Sequence, residues 1–388
     1  MSTAGYLMPL LTRKLKYLGH IKTTKIDNVV FKLHYRYTFN ALIVACAVVT
    51  SYQFFGTPIM CLSQARTVNP HTINNYCWVE GTFTLPKALT KITGEEVVMP
   101  GIEQKNRKDE ILKHDYYQWV CFVLFLQALA FYGPHLLWKR WEGGHVKRLV
   151  ADLNKALLAE SKKAQSENSL VKFLITRRGW FDEYALKYFF CEIFNFFHVL
   201  VEFYITNWFL AGNFVDYGWQ AMFFDGSAEE INPLTRVFPK MTKCNFNHYG
   251  SSGDIQVYDN YCLLPLNIIN EKIYIGLWIW FVLLAIISAF SIIYRLCCFF
   301  YPPARYRLLQ IVSRRSRPQV VIDLVNQLTY GDWFIVYLLG QNIQQSHLAD
   351  ILELLALQLE AEVYQSDETT KNGGQMVKLP IGDEEIKA

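Results

Sequence analysis

Residues 116–138 read Tyr-Tyr-Gln-Trp-Val-Cys-Phe-Val-Leu-Phe-Leu-Gln-Ala-Leu-Ala-Phe-Tyr-Gly-Pro-His-Leu-Leu-Trp, a run of 23 without a Lys, Arg, Asp or Glu. A helix of about 20 apolar residues crosses a bilayer core of about 30 Å, so this stretch is long enough to span. Tyr116, Tyr117 and Trp119 sit at its start and Trp138 with Trp141 at its end. Amphipathic rings of this kind settle at the headgroup level. Pro134 lies inside the run, where it is expected to kink the helix.

Working outward, three more windows have the composition of spans: residues 37–56, 188–211 and 273–294. The chain is therefore read as an all-α membrane protein with four transmembrane helices, the first at 37–56, the second at 116–138, the third at 188–211 and the fourth at 273–294. Charge sets the expected orientation, because Lys and Arg near span ends favour the cytoplasmic side. The segment 1–36 holds Arg13, Lys14, Lys16, Lys22, Lys25, Lys32 and Arg36 against Asp27 alone, and residues 295–317 hold six arginines and no acid. Both termini are expected in the cytoplasm. The middle segment, 139–187, has eleven basic and six acidic residues, whereas 57–115 balances at seven each and 212–272 has four basic against seven acidic. The last two are read as outer loops, since basic residues favour the inner side. No secretory signal is expected, because Arg13, Lys14 and Lys16 cut short the apolar run at 6–11.

Nine cysteines divide by place. Cys46, Cys121 and Cys191 fall in spans, where a thiol is a small apolar filler. Cys297 and Cys298 sit at the inner end of the fourth span. Cys61 and Cys77 lie in the first outer loop, Cys244 and Cys262 in the second. An even set on an oxidising face reads as two disulfides, and four cysteines allow three connectivities. Nested pairing, Cys61 with Cys262 and Cys77 with Cys244, avoids crossing the chain and is the expectation. Neither pair has the two-to-four-residue spacing of common zinc sites, so no metal is expected. Neither outer loop contains an Asn-x-Ser/Thr acceptor, which leaves the outer face free of that glycan.

The segments between and after the spans read as helical. Val146, Leu149, Val150, Leu153, Leu157 and Leu158 follow three-and-four spacing, and 170–175 continues the pattern. Residues 319–328, 332–341 and 346–363 read as further helices, with Asp332 and Ser346 as N-caps. Together 139–187 and 295–364 are expected to form a helical cytoplasmic domain, followed by a disordered tail at 365–388. Segment 1–36 permits a short amphipathic helix at anionic lipid.

Within the third span, Glu192, Asn195, His198, Glu202 and Thr206 fall on about one third of the helix circumference at 100° per residue. Carboxylates inside a membrane normally face protein or water. The stripe is thus a contact with neighbouring helices or subunits, or the lining of a water-filled path, the first being the simpler reading. The cores of the other windows carry no Asp, Glu, Lys or Arg to partner it, so a proton-coupled or metal-dependent reaction lacks its second group. No phosphate-binding glycine loop or nucleophile elbow is present, and the chain is expected to be no enzyme and to need no cofactor. Arg314, Arg315 and Arg317 read as a membrane flank rather than a nucleic-acid patch.

Several short stretches also carry a family resemblance. Tyr116-Tyr117-Gln118-Trp119-Val120 with Pro134 downstream resembles the signature of innexins, the invertebrate gap-junction channel proteins. Gly56-Thr57-Pro58-Ile59-Met60-Cys61, Tyr76-Cys77-Trp78, the run 238–244 and Asn267-Ile268-Ile269-Asn270-Glu271-Lys272 are similar in order and place. Connexins share the layout but carry three cysteines per outer loop. Tetraspanins concentrate theirs in one loop, and claudins have short inner segments. The resemblance implies a ring of subunits, of eight by analogy, in the plasma membrane at gap junctions. It also implies homo- or hetero-oligomers with other innexins, docking onto a ring of the adjacent cell, and passage of ions and small metabolites. By likeness to large-pore channels, the N-terminus could fold into the pore mouth. An undocked hemichannel, or a four-span adhesion scaffold, is the alternative.

Overall fold

The computed structural model describes residues 24–63, 68–106, 108–151, 153, 160–224 and 233–371. The expectations for residues 1–23, for Leu157 and Leu158, and for most of the tail lie outside these. In chain order the elements are α1 (Val29–Phe55), β1 (Met60–Leu62), α2 (Pro70–Glu80), β2 (Thr82–Thr84), β3 (Leu112–His114), α3 (Val120–Glu142), α4 (His145–Val150), α5 (Glu160–Thr176) and α6 (Phe181–Phe209). After these come α7 (Phe214–Phe223), α8 (Pro233–Val237), β4 (Met241–Tyr249), β5 (Ile255–Leu263), α9 (Pro265–Phe300), α10 (Pro302–Val312), α11 (Pro318–Gln327), α12 (Tyr330–Gly340) and α13 (Gln345–Lys371). The chain is mostly helical, and α1, α3, α6 and α9 are long and apolar enough to cross a membrane.

All four are longer than their apolar windows or shifted from them. Helix α1 begins at Val29, eight residues before the window, because Asn28 caps it: its side chain accepts from the Phe31 amide at 2.7 Å. Lys32 and Arg36, which end an apolar window, do not end a helix. Residues Leu33–Thr38 form a π turn, with the Thr38 hydroxyl donating to the Leu33 carbonyl at 2.8 Å. Helix α3 starts at Val120 rather than Tyr116, and residues 116–118 form a separate 3-10 turn. Pro134 stands inside α3, where it has no amide hydrogen for the carbonyl four residues back. Helix α9 has 36 residues, about 54 Å at 1.5 Å each, so it overreaches any bilayer core.

Residues 28–138 and 190–293 form one compact unit. To its spans the structure adds a five-stranded sheet, ordered β1-β5-β4-β2-β3 with all neighbours antiparallel. Strands β1, β2 and β3 come from the first loop and β4 and β5 from the second, so the two loops are one folded body. The first loop also has a small core of its own in Leu85, Ala88 and Val97. Among the spans the core runs through Leu42, Val49, Leu124, Phe131, Val199, Tyr274, Trp278 and Phe281. A Cβ on Gly218 of α7 would lie 2.0 Å from the Trp278 ring, so only glycine lets α7 meet α9 there.

Residues 139–189 and 294–371, with the short segment before Asn28, form the second unit, which is helical. Its centre is α12, in which nine of eleven residues are buried, as a helix that is apolar on all sides requires. Leu348, Ile351, Leu352, Leu355 and Leu359 give α13 one buried face, and Val321, Leu324 and Val325 do the same for α11. The cap of α12 is Thr329 rather than Asp332: its side chain accepts from the Asp332 amide. The Asp332 carboxylate instead accepts from the Gly179 amide at 3.0 Å through both oxygens. Gln345, not Ser346, opens α13, and the helix continues past Gln365 to Lys371. The Asn342 side chain clamps the Lys25 backbone, accepting from its amide at 2.6 Å and donating to its carbonyl at 2.8 Å.

Candidate functional site

The Tyr116–Val120 stretch works as a lock between the first loop, the second loop and α3. The Tyr116 hydroxyl donates to the Val237 carbonyl at 3.1 Å, and its ring meets Phe238 edge-on at 5.6 Å. Tyr117 is fully buried, donates to the Cys77 carbonyl at 3.4 Å and packs against Trp78 at 4.6 Å. The Gln118 amide donates to the carbonyls of Trp78 and Val79, which stand at the end of α2. Val120 is buried, whereas Trp119 is 60% exposed. A buried phenol or amide costs about 1–3 kcal/mol if left unpaired, so these bonds fix the stretch in one position.

Beside that lock lie two disulfides. Cys61 is bonded to Cys262 and Cys77 to Cys244, across 201 and 167 residues of sequence. The first joins directly opposed residues of β1 and β5, and the second ties α2 to β4. Their sulfurs are close neighbours, with those of Cys61, Cys77 and Cys262 within 4.8 Å of one another. Such a cluster resembles a metal site, but sulfurs spent in disulfides are not thiolate ligands. Ile59, Ile73, Tyr117 and Leu264 enclose them. Thr84 and His114 pair across β2 and β3, with the hydroxyl 2.9 Å from Nε2. Burial pushes the His114 imidazole down to about 4, against a weaker opposing pull from Asp115.

The stripe on α6 points inward. Glu192, Asn195, Glu202 and Thr206 are all at most 6% exposed, and two of them, Glu192 and Thr206, have hydrogen-bond partners outside α6. Glu192 accepts from the Asn28 amide at 2.7 Å. Gln127 of α3 donates to the Thr206 hydroxyl at 2.8 Å, and that hydroxyl donates to the Glu202 carbonyl at 2.7 Å. His198 lies 3.3 Å from Glu202 and meets the Phe131 ring edge-on at 4.7 Å. His34 of α1 is buried and bonded to Ser288 of α9 at 2.8 Å. Gln127 and Ser288 lie inside apolar windows, where a mid-span Gln or Ser is the signal that marks them, whereas Asn28 and His34 fall before the window at 37–56 and carry no such signal.

A family model, Innexin, matches residues 27–359. The chain belongs to the innexin family. It is 42% identical over 351 residues to Innexin inx2 of Drosophila melanogaster, covering 90% of this chain and 95% of that one. It is 41% identical to Innexin inx2 of Schistocerca americana, covering 90% and 97%. It is 37% identical to Innexin shaking-B of Drosophila melanogaster, covering 89% and 94%. Innexins are the subunits of invertebrate gap-junction channels, and this innexin is a multi-pass membrane protein with that role. Its stapled loop sheet and its inward polar seam are the parts through which that role is to be explained.

Proposed function

We propose that this innexin assembles into rings around an aqueous path, and that two rings dock head to head between adjacent cells to pass ions and small metabolites. The single observation that carries the reading is that both loops fold as one disulfide-stapled sheet. Because strands from both loops share the sheet, both loops lie at the same end of the four spans. Disulfides persist in oxidising surroundings, which makes that end extracellular. The termini and the 139–187 segment then lie in the cytoplasm, in line with their excess of Lys and Arg. A folded, stapled body with no glycan acceptor is suited to meeting its like across a narrow gap.

A ring of eight follows from resemblance alone. Helix α1 is the span with most surface left open, only 17% of its apolar window being buried within the subunit, against 44% for α3. Arg36, Asn40, Ala41, Ala47 and Ser51 stand on that open side together with Tyr37, Val44 and Val48, a mixed polar and apolar face suited to packing against a neighbouring subunit. The α6 seam, by contrast, is spent inside the subunit, which supports a structural role for it. The chain acts as a conduit and not as an enzyme, as its family membership implies. Junctional conductance between paired cells expressing this chain alone tests the reading: a current is expected, and no current with normal surface expression would overturn it.

A further inference from the structure

The helical unit holds a cleft of about 530 Å³ that the channel role does not use. Its walls come from the end of α3, from α4, from the end of α5, from the start of α6 and from Ile335 of α12. Three permanent cations line it, Arg148, Arg177 and Lys187, together with His145. One acid lines it too, Glu183, which pairs with Lys187 at 2.7 Å in an exposed i,i+4 bridge. Such exposed pairs are weak enough to be exchanged for a better partner.

Two other carboxylates near these cations are spent on backbone. Glu142 accepts from the amides of Gly144 and Val146 at 2.7 and 2.8 Å, which fixes the start of the helix carrying His145 and Arg148. Asp332 accepts from the Gly179 amide and so fixes the turn after Arg177. Arg148 and Arg177 are exposed, and among the described residues neither has a carboxylate partner. The Arg177 guanidinium lies over the Trp180 ring at 4.5 Å, a contact that favours this orientation of its fork. Trp141 forms a second aromatic wall.

We propose that this cleft binds a phosphate monoester, with Arg148, Arg177 and Lys187 as its ligands and Trp141 and Trp180 as its walls. Three cations and one acid leave a net charge of about +2, which matches a monoester at about −1.5 to −2 near neutral pH. Guanidinium forks suit phosphate oxygens, which they engage through paired hydrogen bonds. The monoester can come from an inositol phospholipid headgroup or from a soluble phosphate ester. Trp141 closes a candidate span, where aromatic side chains mark the headgroup level, and this favours the lipid.

The test uses the full-length chain in phosphatidylcholine nanodiscs, with and without phosphatidylinositol 4,5-bisphosphate. Retained lipid is counted by native mass spectrometry, and binding of soluble inositol trisphosphate is measured in parallel. Wild type is expected to retain the lipid or bind the soluble ester. Lipid retention alone assigns the headgroup as ligand, and binding of the soluble ester assigns a free phosphate. Arg148→Gln with Arg177→Gln is expected to weaken either by about tenfold or more. The single Arg177→Gln change should weaken it less, and Arg148→Lys with Arg177→Lys should fall between wild type and the double Gln variant, since it keeps the charge and loses the forked hydrogen bonds. Lys162→Gln with Lys172→Gln removes the same charge from exposed positions outside the cleft and should change nothing. No binding of either ligand, an unaltered Arg148→Gln/Arg177→Gln variant, or an equal loss at Lys162 and Lys172 would overturn the proposal.

Discussion

In the loop sheet, β1 and β5 are tied by a covalent bond between residues 201 apart, while in the helical unit α12 is held without a cross-link, by burial of nine of its eleven residues. The sheet has little apolar core of its own. Three of its strands are three residues long, and four of the eight buried residues in the cluster behind it are the disulfide cysteines. The helical unit has Trp333, Phe334, Ile335, Leu338, Leu339 and the leucines of α13. Where a segment is too short to bury enough apolar surface, a cross-link lowers the entropy of the unfolded chain instead. Where it is long and amphipathic, packing suffices.

The largest expected effect is on the first of these. Cys77→Ser with Cys244→Ser should cost about 4 kcal/mol, given the length of chain the bridge closes, and should melt the loop sheet while leaving the helical unit folded. Hydrogen exchange resolved by segment checks this. Uniform loss of protection across both units would break the comparison.

Acid should also act on the sheet first. His114 is neutral in the fold with its imidazole at about 4, below its ordinary 6.5, so the unfolded chain binds the proton more readily. The contribution is fully present above about pH 6.5 and is lost as pH falls from there toward 4. It amounts to at most about 3 kcal/mol. Thermal unfolding followed against pH should show this slope, and His114→Gln should flatten it. An unchanged slope would remove His114 as its source.

In the helical unit the sensitive point is a close approach of backbones. A Cβ on Gly331 would lie 2.2 Å from the Asp182 amide nitrogen, and that nitrogen cannot swing away as a side chain does. Gly331→Ala should cost about 2 kcal/mol and shift the helical unit's unfolding transition down, with both disulfides intact by mass mapping. Little or no shift would mean that α12 and the start of α6 tolerate separation. A smaller effect is expected at the seam. Glu202→Gln keeps the side chain's shape, so it should reduce assembly or surface delivery modestly and leave reversal potentials alone. Surface biotinylation beside reversal potentials decides, and a selectivity change at normal surface level would put the seam on the conducting path.

The spans and inner helices were legible because their signal is local: composition over about 20 residues, or three-and-four spacing over ten. The inward stripe of α6 was legible for the same reason. Its partner Asn28 was not, since it lies just before Lys32 and Arg36, which an apolar window excludes. The sheet was illegible because β1, β2 and β3 are too short to show alternation, and β1 and β2 each pair with strands more than 150 residues away in sequence. Asp332 reads as a cap in sequence because its carboxylate opens a helical run, but Thr329 fills that place and the carboxylate serves Gly179.

Whether the stapled sheet serves a junction between two cells, or a channel in one membrane, is tested most directly by dye. Cells expressing this innexin are loaded with a small fluorescent tracer, and transfer into expressing neighbours is compared with uptake by isolated expressing cells. Head-to-head docking predicts transfer between paired cells, abolished when Cys77 and Cys244 are replaced by serine. Uptake into isolated cells with no transfer between pairs would contradict it.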